Sequence, residues 1–330
     1  MVKNWLITGG CGFIGISLIK HLIAAYPDHN IRVLDNLSVG TKEDLSAITT
    51  FVERSHHSLD NIFNGINLVV GDIQDFSVCV SCCKGIDTIV HLAANTGVAP
   101  SVENPRHDME VNIIGTFNML EAARINNVTT FIFASSGAPI GEVEPPITEE
   151  KAPKPVSPYG ASKLAGEGYC SAYYRTYGLK TTSLRFGNVY GPGSNHKNSV
   201  IAKFFKNSFV NIPLEIYGDG NQTRDFLYID DLIQAIIQTT FSDIGGEVLQ
   251  ISSQKETTIN EIAKLIKTIV ESALKMPVTI KHSPKRIGDV RRNYADISKA
   301  RNLIGYSPKY DLDKGLQKTF EYFKETYKIQ

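Results

Sequence analysis

Apolar positions along this chain fall into short runs of strand length, and segments with helical spacing lie between them. Trp5 to Thr8 is the first such run, and Leu18, Ile19, Leu22 and Ile23 follow at helical spacing. The strand pattern recurs at Ile31 to Leu34, Ile66 to Val70, Asp87 to Leu92, Thr129 to Ala134 and Lys180 to Phe186. Arg106 to Asn126 puts Met109, Ile113, Phe117 and Leu120 on one helical face. Another helix begins at Ser157-Pro158, with serine at the cap and proline in the first turn. Strand and helix alternating over short loops predict an α/β fold built on a doubly wound parallel sheet. Residues 36–66 interrupt the pattern, being polar, irregular and only weakly helical. Beyond the sixth strand, residues 197–216 predict a helix and a short strand. Thr258 to Glu271, Ala295 to Ile304 and Leu312 to Tyr327 then read as further helices.

A chain of 330 residues can bury a full α/β core with a second, smaller unit attached. Its 34 basic and 34 acidic side chains cancel, which argues against a nucleic-acid footprint or a polybasic membrane surface. No apolar run approaches the roughly eighteen residues of a membrane span, and no signal-like segment opens the chain, so a cytoplasmic protein is expected. Of the five cysteines, Cys79, Cys82 and Cys83 have metal-like spacing, but no second Cys or His pair stands at a matching distance. No metal is expected, and small side chains on a helix in a reducing compartment account for the group.

Between the first strand and the first helix stand Gly9, Gly12 and Gly15. In a strand–turn–helix context such glycines permit a tight turn, a pyrophosphate close to the backbone, and close packing of helix on sheet. The helix N-terminus offers free N–H groups and partial positive charge to the phosphates. The spacing is Gly-x-x-Gly-x-x-Gly, which alone would also suit a ligand-free turn. The second strand, however, ends in Asp35, twenty residues after Gly15. A carboxylate there accepts hydrogen bonds from a ribose 2′-hydroxyl and repels a 2′-phosphate, which favours NAD as cofactor.

Later strands end in Asp72, in His91-Leu92-Ala93-Ala94, and just before Ser135 and Ser136. Ligands in such sheets collect at those ends, so one crevice is implied. Asp72 there suits an adenine amino group or a helix cap, and His91 reads as a packed or capping histidine. On the helix after Ser157, Tyr159 and Lys163 lie four apart on one face. Tyrosine titrates near pH ~10 in water, too high to take an alcohol proton at neutral pH. A nearby ammonium and a positive nicotinamide favour the phenolate, and a fall of about three units needs ~4 kcal/mol. Ser136 is placed to hydrogen-bond and align the same substrate hydroxyl.

These segments together resemble the extended short-chain dehydrogenase/reductases, in particular the nucleotide-sugar epimerase and dehydratase branch. The likeness rests on Thr8-Gly9-Gly10-Cys11-Gly12-Phe13-Ile14-Gly15, Asp35-Asn36-Leu37, His91-Leu92-Ala93-Ala94, Ser136 and Tyr159-Gly160-Ala161-Ser162-Lys163. It continues through Leu184 to Pro192, Gly218-Asp219-Gly220, Arg224-Asp225-Phe226 and Arg286-Ile287-Gly288-Asp289. The resemblance implies a Rossmann domain at residues 1–184 plus about 221–252. It implies a smaller mixed α/β sugar-nucleotide domain at about 185–220 plus 253–330. Ser136, Tyr159 and Lys163 match the family's catalytic triad. The NAD site falls on Gly9, Gly12, Phe13, Ile14, Gly15, Asp35, Asn36, Asp72, Ile73, Ala93, Ala94, Tyr159 and Lys163. Asn188, Arg224 and Arg286 match contacts to the sugar diphosphate, where a guanidinium fork is well suited. Ser136 and Asn293 complete the substrate set, and a homodimer pairing through the helices at 106–126 and 158–177 is implied.

The resemblance also bears on the reaction. Family 4,6-dehydratases carry Asp-Glu after the serine and the related decarboxylases a Glu, because elimination needs an acid and a base besides the tyrosine. This chain has Gly137 and Ala138, which favours epimerisation of a UDP-sugar at C4 through a 4-keto intermediate. Glu142 keeps dehydratase or decarboxylase chemistry as the alternative, and a non-catalytic NAD sensor is a third. Pro139-Ile140 replaces the usual Val-Tyr and removes a hydroxyl from the substrate side. Asn293 occupies the position that gates pocket width in the 4-epimerases. Its modest size suits N-acetylhexosamines as well as hexoses.

Overall fold

The computed structural model describes residues 2–285 and 290–329. The strands begin with β1 (Asn4–Thr8), β2 (Asn30–Asp35), β3 (Val52–Glu53), β4 (Ile66–Val70), β5 (Thr88–His91), β6 (Thr130–Ser136) and β7 (Lys180–Phe186). After them come β8 (Asn188–Tyr190), β9 (Leu214–Tyr217), β10 (Thr223–Arg224), β11 (Phe226–Tyr228), β12 (Glu247–Ile251), β13 (Thr257–Thr258) and β14 (Ile280–Ser283). Eight of them form one parallel sheet in the order β12-β7-β6-β5-β1-β2-β4-β3. The winding reverses between β1 and β5, and a crevice opens beyond the strand ends at such a reversal.

Helices cover both faces: α1 (Phe13–Ala25), α2 (Lys42–Ser46), α3 (Phe76–Cys82), α4 (Val98–Glu103), α5 (Pro105–Met109), α6 (Gly115–Ile125) and α7 (Pro158–Tyr177). The later ones are α8 (Val200–Phe209), α9 (Ile229–Phe241), α10 (Ile259–Leu274), α11 (Ser298–Ile304) and α12 (Leu312–Thr326). Strand alternation divides the core. Phe131 and Phe133 join Met119, Leu120 and Cys170 on one side, while Ile132 joins Leu18, Leu232 and a run of apolar side chains reaching Phe323 on the other. The doubly wound parallel sheet is the one expected from the alternation of strand and helix.

Helix α7 carries the expected start signals. Ser157 Oγ accepts the Gly160 N–H at 3.1 Å, Pro158 is the first residue, and Gly178 ends the helix in the left-handed conformation. A β-carbon on Gly166 would stand 2.4 Å from the Phe133 ring, so α7 lies directly on β6.

Four features differ from the periodicity. The irregular stretch 36–66 contains α2, capped by a reciprocal Thr41–Asp44 box, and β3 at the sheet edge. Strand β6 runs on through Ser136, so both serines are strand residues. The helix expected at 106–126 is interrupted by a wider π-turn at Glu110–Ile114, which contains the buried Asn112. Ala295 precedes α11 and pairs with Ile147 as an isolated bridge. Cys79, Cys82 and Cys83 are free and buried, and among the described residues no His, Cys, Asp and Glu group could hold a metal ion. No described helix is long and apolar enough to cross a membrane.

Candidate active site

The turn after β1 is shaped by contacts that only glycine allows. Gly9 has φ +66°, and a β-carbon on it would lie 2.8 Å from the Ala93 nitrogen. At Gly15 the added carbon would meet the Gly10 backbone at 2.5 Å, so α1 is pressed against its own entry turn. Gly12 caps α1 with no side-chain hydrogen bond, leaving the first N–H groups at Phe13 and Ile14 facing outward from the helix end. A feature unreadable in the glycine spacing is Gly40, where a β-carbon would fall 2.0 Å from the Cys11 carbonyl oxygen. The segment after β2 therefore seals the side of the phosphate turn.

Asp35 closes β2 and is 7% exposed. Its Oδ2 accepts the Cys11 N–H at 2.9 Å and its Oδ1 the Leu37 N–H at 2.8 Å. Burial raises this carboxyl's pKa, and the two backbone donors oppose the rise. A carboxylate has about four acceptor positions, so two are left for a ribose diol. Asn36 donates to Asp72 at 3.0 Å, which brings these two residues together beside Asp35. Ile73 is buried, and its carbonyl accepts the Asn118 amide at 3.0 Å. Ala93 and Ala94 follow His91, whose buried ring lies between Thr8 at 2.8 Å and Thr116 at 3.1 Å. Burial holds that imidazole neutral, with its pKa down to about 3.

At the end of β6, Ser136 accepts the Ala138 N–H at 3.2 Å, and its hydroxyl lies near the Tyr159 phenol. Burial pushes that phenol up to about 12; the nearby Ser136 hydroxyl opposes the rise and the Asp108 charge adds to it. Lys163 is 3% exposed and donates to the Ala134 carbonyl at 2.9 Å, with its nitrogen 5.9 Å from the Tyr159 ring centre. Burial brings its pKa down to about 8, against the pull of Asp108, Cys170 and Glu167. The lysine is thus tied to β6, and its ammonium does not offset the burial of the phenol. Asp108 and Asn112 carry no motif that would single them out in the sequence, yet both are buried beneath this pair. Asn112 donates to Asp108 at 2.9 Å and to Ser162 at 3.2 Å.

The substrate-side residues come from the other end of the chain. Asn188 is exposed at the start of β8, paired in register with Phe226 of β11. Arg224 donates to the carbonyls of Thr223 at 2.6 Å and Val290 at 2.7 Å. Arg286 lies outside the described residues. The Asn293 amide nitrogen would stand 3.9 Å from a β-carbon on Gly137, so residue 293 faces the turn after Ser136. Asp225, which the sequence marks only as the neighbour of Arg224, is a hub. It accepts from Ser253 at 2.8 Å, Gln254 at 3.1 Å and Ala295 at 3.3 Å, which fixes the segment leading out of Asn293. Ile140, where a tyrosine is usual, is fully buried against Ile147 and Ala295 and serves packing. Glu142 is exposed.

An uncapped helix end, a glycine cradle and a strand-end carboxylate fit a dinucleotide, and similarity to known proteins says which one. A family model described as the NAD dependent epimerase/dehydratase family matches residues 5–251. The chain belongs to that family. It is an enzyme, and NAD is its cofactor. A putative UDP-glucose 4-epimerase of Methanocaldococcus jannaschii is 35% identical over 327 residues, covering 97% of this chain and 98% of the relative. The UDP-glucose 4-epimerase of Thermotoga maritima, solved with UDP-glucose, superposes with a TM-score of 0.87 at 35% identity, covering 98% of this chain and 100% of that one. The Thermus thermophilus UDP-glucose 4-epimerase, solved with NAD, gives 0.84 at 31% identity, covering 98% and 99%. The chain therefore shares its fold over nearly its whole length with these enzymes.

Proposed function

We propose that the protein epimerises a nucleotide sugar at C4, with UDP-glucose or UDP-N-acetylglucosamine as the type of substrate. The observation that carries this reading is the Ser136 hydroxyl near the Tyr159 phenol at a turn that continues with Gly137 and Ala138 and offers no carboxylate. In this reading Gly9, Gly12, Phe13, Ile14 and Gly15 hold the pyrophosphate of NAD. Asp35 and Asn36 hold a ribose, Asp72 and Ile73 border the adenine, and Ala93, Ala94, Tyr159 and Lys163 line the nicotinamide half. Bound NAD supplies the means to oxidise and then reduce one sugar carbon with no net turnover.

The chain's own part is proton handling and placement. Ser136 and Tyr159 together meet the sugar's 4-hydroxyl; Ser136 orients it, and Tyr159 takes its proton and later returns it. Asn188, Arg224 and Arg286 grip the diphosphate, so the oxidised sugar can turn over on that tether and present its other face. Asn293 opposite Gly137 leaves a wall of small groups, which supports a pocket open to N-acetylhexosamines as well as hexoses. Elimination chemistry would need a second acid–base pair, and the exposed Glu142 does not support one.

We also propose the division into residues 1–184 plus about 221–252 for NAD and about 185–220 plus 253–330 for the sugar nucleotide. The pairing of β12 with β7 in the main sheet supports it. The working unit is proposed to be a homodimer, supported by half-exposed Phe117 and Tyr169 stacked edge to face at 5.5 Å across α6 and α7. Product analysis by proton NMR tests the reaction. Galacto-configured products from UDP-glucose or UDP-N-acetylglucosamine are expected, whereas 4-keto or pentose products would replace this reading with elimination or decarboxylation.

A further inference from the structure

Helix α7 presents a third residue on the stripe that carries Tyr159 and Lys163. Glu167 lies four residues beyond Lys163 and is 5% exposed. Its Oε1 accepts the Ser135 hydroxyl at 2.5 Å and Arg185 Nε at 2.8 Å, and its Oε2 accepts Arg185 Nη2 at 2.7 Å. Arg185 is 3% exposed and stands opposite Ser135 in the β6–β7 register. The last three residues of β6 thus each stand against one position of this stripe. Ala134 meets Lys163, Ser135 meets Glu167, and Ser136 meets Tyr159.

Stability alone is a poor account of this cluster. A buried ion pair gains little over well-packed apolar side chains, because removing both charges from water offsets their attraction. Arg185 even leaves Nη1 buried without a partner. What a two-pronged guanidinium–carboxylate contact does supply is fixed geometry. Glu167 cannot rotate or slide along β6 without breaking three short bonds, so α7 is locked in both rotation and height. One residue of helix slip is about 1.5 Å, and a misplacement near 1 Å at a reacting pair costs about a hundredfold in rate.

We propose that Glu167, with Ser135 and Arg185, is a positioning group that sets the Ser136–Tyr159 geometry, an inference that rests on those two residues being the reacting pair. Ser135→Ala removes one bond and leaves the Arg185–Glu167 pair in place, and Glu167→Gln keeps the shape while weakening the fork. Both are assayed with UDP-glucose and UDP-N-acetylglucosamine beside Ser135→Thr, which restores a hydroxyl. In Ser135→Ala and Glu167→Gln, kcat is expected to fall about tenfold or more, with KM and bound NAD near wild type. Melting temperature stays near wild type in Ser135→Ala and falls in Glu167→Gln, which leaves the buried Arg185 charge unpaired. Ser135→Thr should recover most of the loss. Unchanged kcat in both would overturn the proposal. So would a parallel loss of bound NAD, substrate affinity and melting temperature in Ser135→Ala that threonine fails to rescue, because that pattern marks a purely structural role. Tyr159→Phe in the same assay separates the two levels. If it retains wild-type rates, the reacting pair itself is misassigned; if it is dead while Ser135→Ala and Glu167→Gln are normal, only the positioning role fails.

Discussion

Burial makes Tyr159 a weaker acid than tyrosine in water, and the neighbouring ammonium does not reverse this. Its phenol is pushed up to about 12 while Lys163 is brought down to about 8. Burial therefore favours the neutral phenol over the phenolate beside Lys163. Positive charge arriving with NAD⁺ should favour the phenolate, so NAD⁺ should raise the tyrosinate band in ultraviolet difference spectra at mildly alkaline pH. Tyr159→Phe should abolish that signal, and its survival in the variant would assign the band to another tyrosine. The buried Lys163 costs stability wherever it is charged. A fall from 10.5 to about 8 corresponds to roughly 3 kcal/mol as an upper figure. Lys163→Met should then raise the cofactor-free unfolding free energy by about 1–3 kcal/mol while abolishing turnover, and urea denaturation checks it. His91 acts in the opposite pH range. Its folded pKa, about 3, lies below the ordinary 6.5, so the unfolded chain binds the extra proton first. Its contribution is fully present above pH ~6.5 and is lost at up to about 1.4 kcal/mol per pH unit as the pH falls towards the folded value. Removing the imidazole with His91→Asn should flatten that part of the acid limb.

Helix α7 is where local rules and chemistry meet. Its start is legible in the sequence because Ser157-Pro158 combines a side-chain cap with a residue that has no N–H to satisfy. Tyr159 and Lys163 are legible through spacing and their order after the serine strand. Glu167 and Arg185 are not, because a lone glutamate on a helix usually faces water, and only the packing of α7 on the β6–β7 pair brings these two together. The π-turn at Glu110–Ile114 is hidden for a related reason. The apolar spacing of Met109, Ile113 and Phe117 continues through it, while the turn itself coincides with Asn112 bonded to Asn95, Asp108 and Ser162. Segment 36–66 reveals little because α2 and β3 are too short for periodicity to register. The fit of α7 on β6 is itself testable. Gly166→Ala would place a methyl 2.4 Å from the Phe133 ring, and overpacking of that kind costs about 1–3 kcal/mol. Phe133→Leu combined with it should return part of the loss in thermal denaturation, and strict additivity of the two would show that the contact is not the cause.

Across the whole molecule, the parallel sheet gathers residues from distant parts of the chain at one edge. Gly9, Asp35, Ala93, Ser136 and Asn188 all stand at or just beyond strand ends, and that arrangement can be inferred from strand order alone. The meeting of Asn293 with Gly137 cannot, since it depends on the Ile147–Ala295 bridge and on Asp225. The same scale governs assembly. Tyr169→Glu on the exposed aromatic pair should convert the proposed homodimer to monomer in light scattering, whereas a monomeric wild-type protein would remove that interface. The central claim is that Tyr159, aligned by Ser136, serves the oxidation and re-reduction of a single sugar carbon within one closed site. The most direct measurement is the conversion of UDP-glucose or UDP-N-acetylglucosamine carrying deuterium at C4, followed by NMR. The account predicts a C4-inverted product with deuterium still on C4 and no turnover in Tyr159→Phe; deuterium lost to water, or a product altered at C5 or C6, would contradict it.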